Sequence, residues 1–169
     1  MSETLAYIAG IVDGEGCVGI KRSKPYKNLT GRVNMSYHEL VQIRMVDEPA
    51  IRLLAETLGG WYYKEKPNAN NGRPLYCYQA TDKRASEILV ALLPYLRVKS
   101  EQARIVLALT EHKRNLPAEH VERIPTVIAN RWGGFTTAMR GRISADGIAY
   151  RASLWEAAHA LNGGARDHL

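Results

Sequence analysis

The chain has 169 residues, of which 46% are hydrophobic and 24% charged, so it can bury a sizeable core and wholesale disorder is excluded. The 23 Lys and Arg outnumber the 17 Asp and Glu and give a net charge of +6, which suits a polyanionic partner without separating DNA from RNA or a membrane surface. Two cysteines cannot build a zinc ribbon or a disulfide framework, and no apolar run reaches membrane-spanning length. We therefore expect a soluble, intracellular protein that is not secreted and has no membrane partner.

Helical and extended patterns alternate along the first two thirds of the chain. In chain order we expect a helix that begins at Ser2 and ends at Gly14 to Gly16, strands at 17–23 and 32–45, a helix at 48–58, a hairpin of 61–66 and 75–81, and helices at 85–93 and 101–113. This order predicts an α+β fold in which helices cover one face of a four-stranded antiparallel sheet.

The predicted strand at 32–45 has the clearest alternation. Its odd positions are apolar except for Glu39, and its even positions are polar except for Leu40. Such alternation indicates a half-buried strand with one face on the core and the other face free to bind. The polar positions are Arg32, Asn34, Ser36, His38, Gln42 and Arg44.

Basic residues are concentrated in two stretches that lack acids. Residues 21–38 contain five Lys or Arg, and residues 123–142 contain four Arg. Because a solvated helix face normally mixes signs, these stretches indicate a binding surface, although loops that are merely basic would give the same pattern. After residue 116 we expect two weaker helices, near 121–132 and 153–161. The chain then divides into a core at 1–116 and a C-terminal helical extension of the same domain at 117–169.

The first helix carries the most informative pattern. Ala6, Gly10 and Gly14 recur every four residues, so they share a face that a second helix could approach closely. Asp13 and Glu15 lie at the carboxyl end, where the helix dipole disfavours negative charge. Two interpretations remain open from the residues alone: a solvated acidic turn, or a site for a hard divalent cation that uses Glu15 and the Gly14 carbonyl.

Residues 8–16, Ile-Ala-Gly-Ile-Val-Asp-Gly-Glu-Gly, resemble the signature of the LAGLIDADG homing endonucleases position by position. The predicted order of elements over about residues 3–115 is also that of one family subunit. A second family landmark, just after the sheet, resembles residues 94–103, where Gln102 and Ala103 follow Lys99. The resemblance implies the α-β-β-α-β-β-α fold of that family, with a four-stranded DNA-binding sheet and, in this chain, extra C-terminal helices.

By this resemblance the protein is a site-specific double-strand DNA endonuclease that hydrolyses phosphodiesters with a divalent metal. Glu15 and the Gly14 carbonyl would bind Mg²⁺, with Mn²⁺ or Ca²⁺ able to occupy the same site, and Lys99 would lie beside the scissile phosphate. Family members often orient water with a polar residue at the end of the second long strand. Gln42 and Arg44 are the candidates for that role, although counting back from Gly59 places residues 43–46 near the position.

One copy of the motif implies a homodimer, with Ala6, Gly10, Asp13 and Gly14 at the interface and a near-palindromic DNA site. No small-molecule substrate is implied. The joined sheets would contact about 20 base pairs, since each long strand spans about one helical turn. The predicted DNA contacts are Lys21, Ser23, Lys24, Arg32, Asn34, Ser36, His38, Lys64, Lys66, Arg73, Tyr76, Tyr78, Arg140 and Arg142.

Two other classes of protein remain in view. A non-cleaving relative, either a transcription factor or an RNA maturase, would share the fold and the basic surface. A ribosomal or other structural RNA-binding protein would leave the glycine-faced helix unexplained. Glu15 and Lys99 favour cleavage, because a protein that only binds has no need of an acid at this helix end.

Overall fold

The computed structural model describes residues 2–27, 33–66, 73–129 and 132–163, and it describes the backbone alone at 26, 27, 33 and 34. The helices are α1 (Ser2–Glu15), α2 (Glu48–Leu58), α3 (Asp82–Leu92), α4 (Ser100–Arg114) and α5 (Ala145–Leu161), with a 3-10 helix at Ala118–His120. The strands are β1 (Gly16–Arg22), β2 (Tyr26–Lys27), β3 (Val33–Asn34), β4 (Tyr37–Met45), β5 (Tyr62–Lys64), β6 (Tyr76–Thr81), β7 (Val121–Ala129) and β8 (Phe135–Ile143).

The main sheet has the strand order β1-β4-β6-β5, and every pair is antiparallel. The core lies between this sheet and the helices: β4 buries Val41 and Ile43, which pack with side chains from α1, α2, α3 and α4. The predicted α+β fold is confirmed, as is the apolar face of β4. Within the described ranges, no helix is long and apolar enough to cross a membrane.

Glu39 is the one charged residue on the apolar face of β4, and it is 2% exposed. Lys113 Nζ lies 2.6 Å from its Oε2, and Thr110 Oγ1 donates a hydrogen bond of 2.9 Å to its Oε1. These two partners on α4 compensate the burial of a carboxylate, which would otherwise be costly. Glu39, which interrupts the apolar alternation of β4, therefore links the sheet to α4.

Helix α2 follows its sequence signals at both ends. Asp47 Oδ1 accepts a hydrogen bond of 2.9 Å from the Ala50 amide, and the helix ends where Gly59 takes a φ of 71°. Side-chain capping at the start and a positive φ at the end are the usual boundaries of a helix. The predicted limits of 48–58 are confirmed.

The predicted strand at 32–45 is shorter in the structure. β4 begins at Tyr37, and β3 is a separate two-residue strand that pairs with β2. The division lies at Ser36, whose amide donates to Ser23 Oγ while the Ser23 amide donates to the Ser36 carbonyl, both at 2.8 Å. This pair closes the β1–β4 ladder, and Arg32 lies outside the described residues.

The prediction of a helix near 121–132 is wrong, so the segment 117–169 is not wholly helical. β7 and β8 form an antiparallel hairpin in which Val121 faces Ile143 and Ala129 faces Phe135. Proline inside a helix removes a hydrogen bond and clashes with the preceding turn, whereas the β-branched residues around Pro125 suit a strand. The second predicted helix exists as α5, and it begins earlier than 153 because Ser144 Oγ caps it by accepting from the Gly147 amide at 3.2 Å.

Candidate active site and nucleic-acid interface

The chain passes from α1 into β1 without a loop, and this turn presents the first candidate residues. Gly16 is required here, because a Cβ at this position would lie 2.6 Å from the Val12 carbonyl oxygen. Glu15 is the last helical residue and is exposed, as is Gly14. The tight turn therefore holds the Glu15 carboxylate and the last carbonyls of α1 at the surface, next to the first residue of the sheet.

Asp13 fastens this turn to the segment that precedes α4. Its Oδ2 accepts from the Arg97 amide at 2.7 Å and its Oδ1 from the Lys99 amide at 2.9 Å. Burial opposes ionisation of this carboxyl group, but the backbone N–H groups of residues 97–99 and the Lys99 charge favour it, and the pKa of Asp13 is lowered below its ordinary 3.8. Asp13 thus acts within the chain, and its predicted place at the dimer interface stays a prediction.

Lys99 lies beside the end of α1. Its ammonium donates a hydrogen bond to the Asp13 carbonyl oxygen, so two hydrogen bonds tie this one residue to Asp13. A cleft of about 730 Å³ next to it is lined by Lys99, by Gly16 and Cys17 of β1, and by the last residues of α5. The structure therefore brings the Lys99 segment and the end of the helical motif together at one cleft, across more than eighty residues of sequence.

The register of the sheet defines an open face, opposite the helices. Directly paired residues point to the same side, and the pairing places on this face Cys17 and Lys21 of β1, His38, Gln42 and Arg44 of β4, Tyr63 of β5, and Cys77 and Gln79 of β6. The four predicted residues in that set, Lys21, His38, Gln42 and Arg44, are therefore brought together on one surface.

The two candidates for water orientation have partners in the chain. Gln42 Nε2 donates to Gln79 Oε1 at 3.2 Å, and Arg44 Nε lies 2.9 Å from Glu65 Oε1. Burial raises the pKa of the neighbouring Cys17 thiol, while the positive charges of Lys99 and Arg44 act in the opposite direction. Since Gly16 pairs with Ile43, the next residue of β4, Arg44, lies beside the α1–β1 turn.

The prediction for the second hairpin chose the wrong face. Tyr78 is fully buried and donates a hydrogen bond of 2.8 Å to the Gly59 carbonyl, so it is a core residue and cannot contact DNA. Tyr76 and Lys64 are paired with each other and lie on the same side as Tyr78, next to α2 rather than on the open face. The residues on the side of the open face are Tyr63, Cys77 and Gln79, of which Cys77 is buried and the other two are half-buried.

Gln79 is the main residue that sequence reasoning missed. Tyrosine fits either a core or a polar surface, so the sequence allows Tyr76 and Tyr78 on the polar side of the strand, and a shift of one residue reverses every side chain. Had Gln79 been used to set the phase, the correct face would have followed.

Of the other predicted contacts, Arg140 and Arg142 lie in the separate β7–β8 hairpin, and Lys24, Lys66 and Arg73 lie in loops next to strands of the main sheet. Lys24, Lys66, Arg73 and Arg140 are exposed, and Ser23 and Ser36 are half-buried in the bonds that close β1 and β4. His38 Nδ1 lies 2.8 Å from Asp82 Oδ1, and Arg142 forms an ion pair of 2.8 Å with Glu122. Asn34 lies in β3, where the structure gives the backbone alone.

The small-residue face of α1 is open. Ala6, Gly10 and Gly14 are exposed, and a Cβ added at either glycine would meet no atom within 4 Å. The opposite face of the helix is buried through Ile8, Ala9 and Val12. The predicted interface residues other than Asp13 are therefore accessible to a second helix.

The described residues at the end of α1 include two candidate ligands for a metal ion. The Glu15 carboxylate and the Gly14 carbonyl are oxygen donors of the kind that Mg²⁺ prefers, and no hydrogen bond or ion pair from the described residues engages the Glu15 side chain. However, no group of three or more His, Cys, Asp or Glu lies close enough to hold a metal ion in the described part of the chain. The donors fit a hard divalent cation provided that other ligands, such as water or phosphate, join these two.

Solved structures of several homing endonucleases share this architecture. The fold is similar to that of the homing endonuclease I-CvuI in complex with a DNA target, with a TM-score of 0.67 and 16% identity over 99% of this chain and 87% of that chain. It is also similar to the archaeal intron-encoded homing endonuclease I-Vdi141I complexed with DNA, with a TM-score of 0.63 and 16% identity over the same shares. This chain has the LAGLIDADG homing endonuclease fold.

A third structure, that of the homing endonuclease I-TnaI, covers nearly all of both chains: 96% of this one and 97% of that one, with a TM-score of 0.55 and 14% identity. The sequence matches no protein-family profile and no curated protein. The assignment of the LAGLIDADG fold therefore rests on the three-dimensional architecture together with the motif at Ile8–Gly16.

Proposed function

We propose that the chain is a site-specific DNA endonuclease that acts as a homodimer and requires a divalent metal ion. The observation that carries the proposal is the arrangement at the α1–β1 turn. Glu15 is exposed at the end of the helical motif, and Asp13 holds Lys99 beside the end of this helix. The structures of I-CvuI with DNA were obtained with Mg in one case and Ca in another, which supports a divalent ion in proteins of this fold.

Within this proposal each residue has a stated task. Glu15 and the Gly14 carbonyl would hold the ion, which when bound supplies a Lewis acid for the phosphate and lowers the pKa of water. Lys99, whose backbone and ammonium are both fixed, would stabilise negative charge on the scissile phosphate without needing to reorganise. Gln42 and Arg44 would orient the attacking water. Arg44 would do so after its ion pair with Glu65 is replaced by an ion pair with a DNA phosphate.

The open face would contact the bases. Lys21 and Gln79 can each read a base edge, since Lys pairs with guanine and Gln with adenine in the major groove. The exposed cations at the rim, Lys24 and Arg73, would contact phosphates and position the sheet rather than specify sequence. Part of the affinity should then be electrostatic and should fall as salt rises.

The homodimer is supported by the open face of α1, where a Cβ at Gly10 or Gly14 would meet no atom within 4 Å. Two copies packed at Gly10 would bring both Glu15 carboxylates to the same stretch of DNA. An interface of this kind is isologous and implies a near-palindromic target.

The decisive experiment compares wild type, Glu15→Gln and Glu3→Gln on a randomised duplex library with Mg²⁺, followed by sequencing of the cut ends. Glu3 is the matched control, because it is an exposed acid in the first turn of the same helix. We expect discrete ends from wild type and Glu3→Gln, and binding without cleavage from Glu15→Gln. If all three bind and none cuts, the protein is a non-cleaving nucleic-acid-binding relative instead.

Dimerisation is tested by light scattering with wild type and Gly10→Leu. Because a Cβ at Gly10 meets only open space, the substitution leaves the packing of the single chain intact. It replaces glycine within a helix and should raise monomer stability by up to about 1 kcal/mol. We expect wild type to be a dimer and Gly10→Leu a folded monomer, whereas a wild type that is monomeric with and without DNA contradicts the proposal.

A further inference from the structure

The β7–β8 hairpin stands apart from the main sheet and is held at its base. The Ser144 amide donates to the His120 carbonyl at 2.8 Å, and Gly147 of α5 packs so closely on Ile143 that a Cβ would lie 2.7 Å from its Cγ1. Nine residues per strand extend for about 30 Å. A two-stranded hairpin alone in water is only marginally stable, so a hairpin of this length is expected to be supported by another surface when it functions.

One face of the hairpin is apolar and exposed. The register places on this side Pro125, Val127 and Ala129 of β7 with Phe135, Thr137 and Met139 of β8. Phe135 is 77% exposed, Val127 67% and Met139 60%. We call these six residues the hairpin face. Contiguous exposed apolar side chains of this size mark an interaction surface.

The charge of the hairpin is positive. Its described residues include three arginines, Arg123, Arg140 and Arg142, and a single acid, Glu122, which pairs with Arg142. Arg123, which lies on the side of the hairpin face, and Arg140 have no ion pair in the described ranges. Two copies of this surface would repel each other, whereas a polyanion would be attracted, so nucleic acid is the favoured occupant.

We infer that the hairpin face binds the minor groove of the duplex outside the region read by the open face of the main sheet. Minor-groove proteins combine arginines with apolar side chains such as Phe, Met and Pro that wedge between base steps, and two-stranded ribbons are known to enter grooves of DNA. The hairpin face offers Phe135, Met139 and Pro125 with Arg123 at its side. The inference rests on the proposed function, because it requires the same duplex.

The test uses two duplexes of one site: the shortest that wild type cleaves, and the same site extended by about 10 base pairs, one helical turn, on each side. The protein variants are Phe135→Ser with Met139→Ser, and the control Val90→Ser, an apolar residue of α3 that is 63% exposed and remote in sequence from the hairpin. The long duplex carries 2-aminopurine in its flanks, whose fluorescence rises when base steps unstack.

We expect wild type and Val90→Ser to bind the long duplex more tightly than the short one and to raise the fluorescence. The double hairpin variant should lose about tenfold in affinity for the long duplex, keep its affinity for the short one and give no fluorescence rise. Arg123→Gln should lower the salt slope on the long duplex by about two, because a homodimer then loses one phosphate contact in each subunit.

Three outcomes overturn the inference. The double variant could equal wild type on both duplexes, or weaken on both equally, and then the hairpin face does not contact the flanks. It could turn the dimer into a monomer in light scattering, and then the face is an interface between copies. In these cases the short duplex is still cut by wild type, so the proposed function survives. If wild type cleaves no duplex of the randomised library with Mg²⁺, the proposed function is refuted, and the inference that rests on it is refuted with it.

Discussion

Asp13 provides the sharpest test of the site, because two hydrogen bonds from its carboxylate join α1 to the start of α4. Asp13→Asn keeps one oxygen acceptor but turns an amide NH₂ toward one of the two N–H donors, at Arg97 and Lys99. A hydrogen bond to a charged group contributes about 1.5–3 kcal/mol net. We therefore expect the substitution to lower the free energy of unfolding by about 2 kcal/mol.

The measurement is urea unfolding at pH 7 with Asp47→Asn as the matched control. Asp47 also accepts a backbone N–H, at 2.9 Å, but from the exposed N-cap of α2, where Asn serves as well as Asp. We expect the control to change stability by only a few tenths of a kcal/mol. A loss at Asp13 no larger than the loss at Asp47 would refute the claim that this carboxylate fastens the site.

The pH dependence gives a second check on Asp13. Because its pKa in the folded protein is lowered below 3.8, its contribution is complete above that value and is lost as the pH falls through the lower, folded pKa. The stability difference between wild type and Asp13→Asn should therefore shrink in strong acid. Cleavage should also slow in this variant more than DNA affinity weakens, since Lys99 loses its fixed position.

Three further outcomes are expected. Tyr78→Phe, which removes a buried hydroxyl bond, should lower stability by about 1 kcal/mol in urea unfolding and leave DNA affinity unchanged; a large loss of affinity would restore Tyr78 to the DNA interface. Burial and the charge of Arg151 lower the pKa of His112 below 6.5, so on acidification the unfolded chain takes up a proton that the folded chain does not. The free energy of unfolding should therefore fall as the pH drops below 6.5. His112→Gln should make this fall smaller when unfolding is measured from pH 8 to pH 5. Glu39→Gln should lower the free energy of unfolding in urea by about 1–2 kcal/mol, since Lys113 at 2.6 Å loses its buried counter-charge. An unchanged urea midpoint would show that this ion pair does not stabilise the fold.

Local sequence signals were sufficient to predict an element where its boundaries depend on its own residues. Helix α2 lies between an Asp cap and two glycines, and both features are visible in the sequence. The alternation of β4 likewise survives in the structure because one face is buried and the other is not. The exposed end of α1 at Glu15 follows from the motif alone.

The tie between Asp13 and Lys99 could not be read from local pattern, because it joins residues 86 positions apart. The outward face of β6 was predicted wrongly for a different reason. Tyrosine is compatible with either face of a strand, and β6 contains two tyrosines. The β7–β8 hairpin was missed because apolar residues at 121, 124, 127 and 128 also fit helical spacing. There Pro125 was the discriminating signal, since a mid-helix proline costs about 3 kcal/mol.

The α1 motif divides its residues between two purposes. Ile8 and Val12 are buried, Gly16 is forced by the Val12 carbonyl, and Asp13 anchors α4, so the packing of one chain explains each of them. It does not explain Gly10, where a Cβ would meet nothing within 4 Å and where Ala would stabilise the helix by about 1 kcal/mol. A glycine that makes the single chain less stable is understandable if another helix packs against it, and under the proposed function that helix would be α1 of a second copy, which would bring a second Glu15.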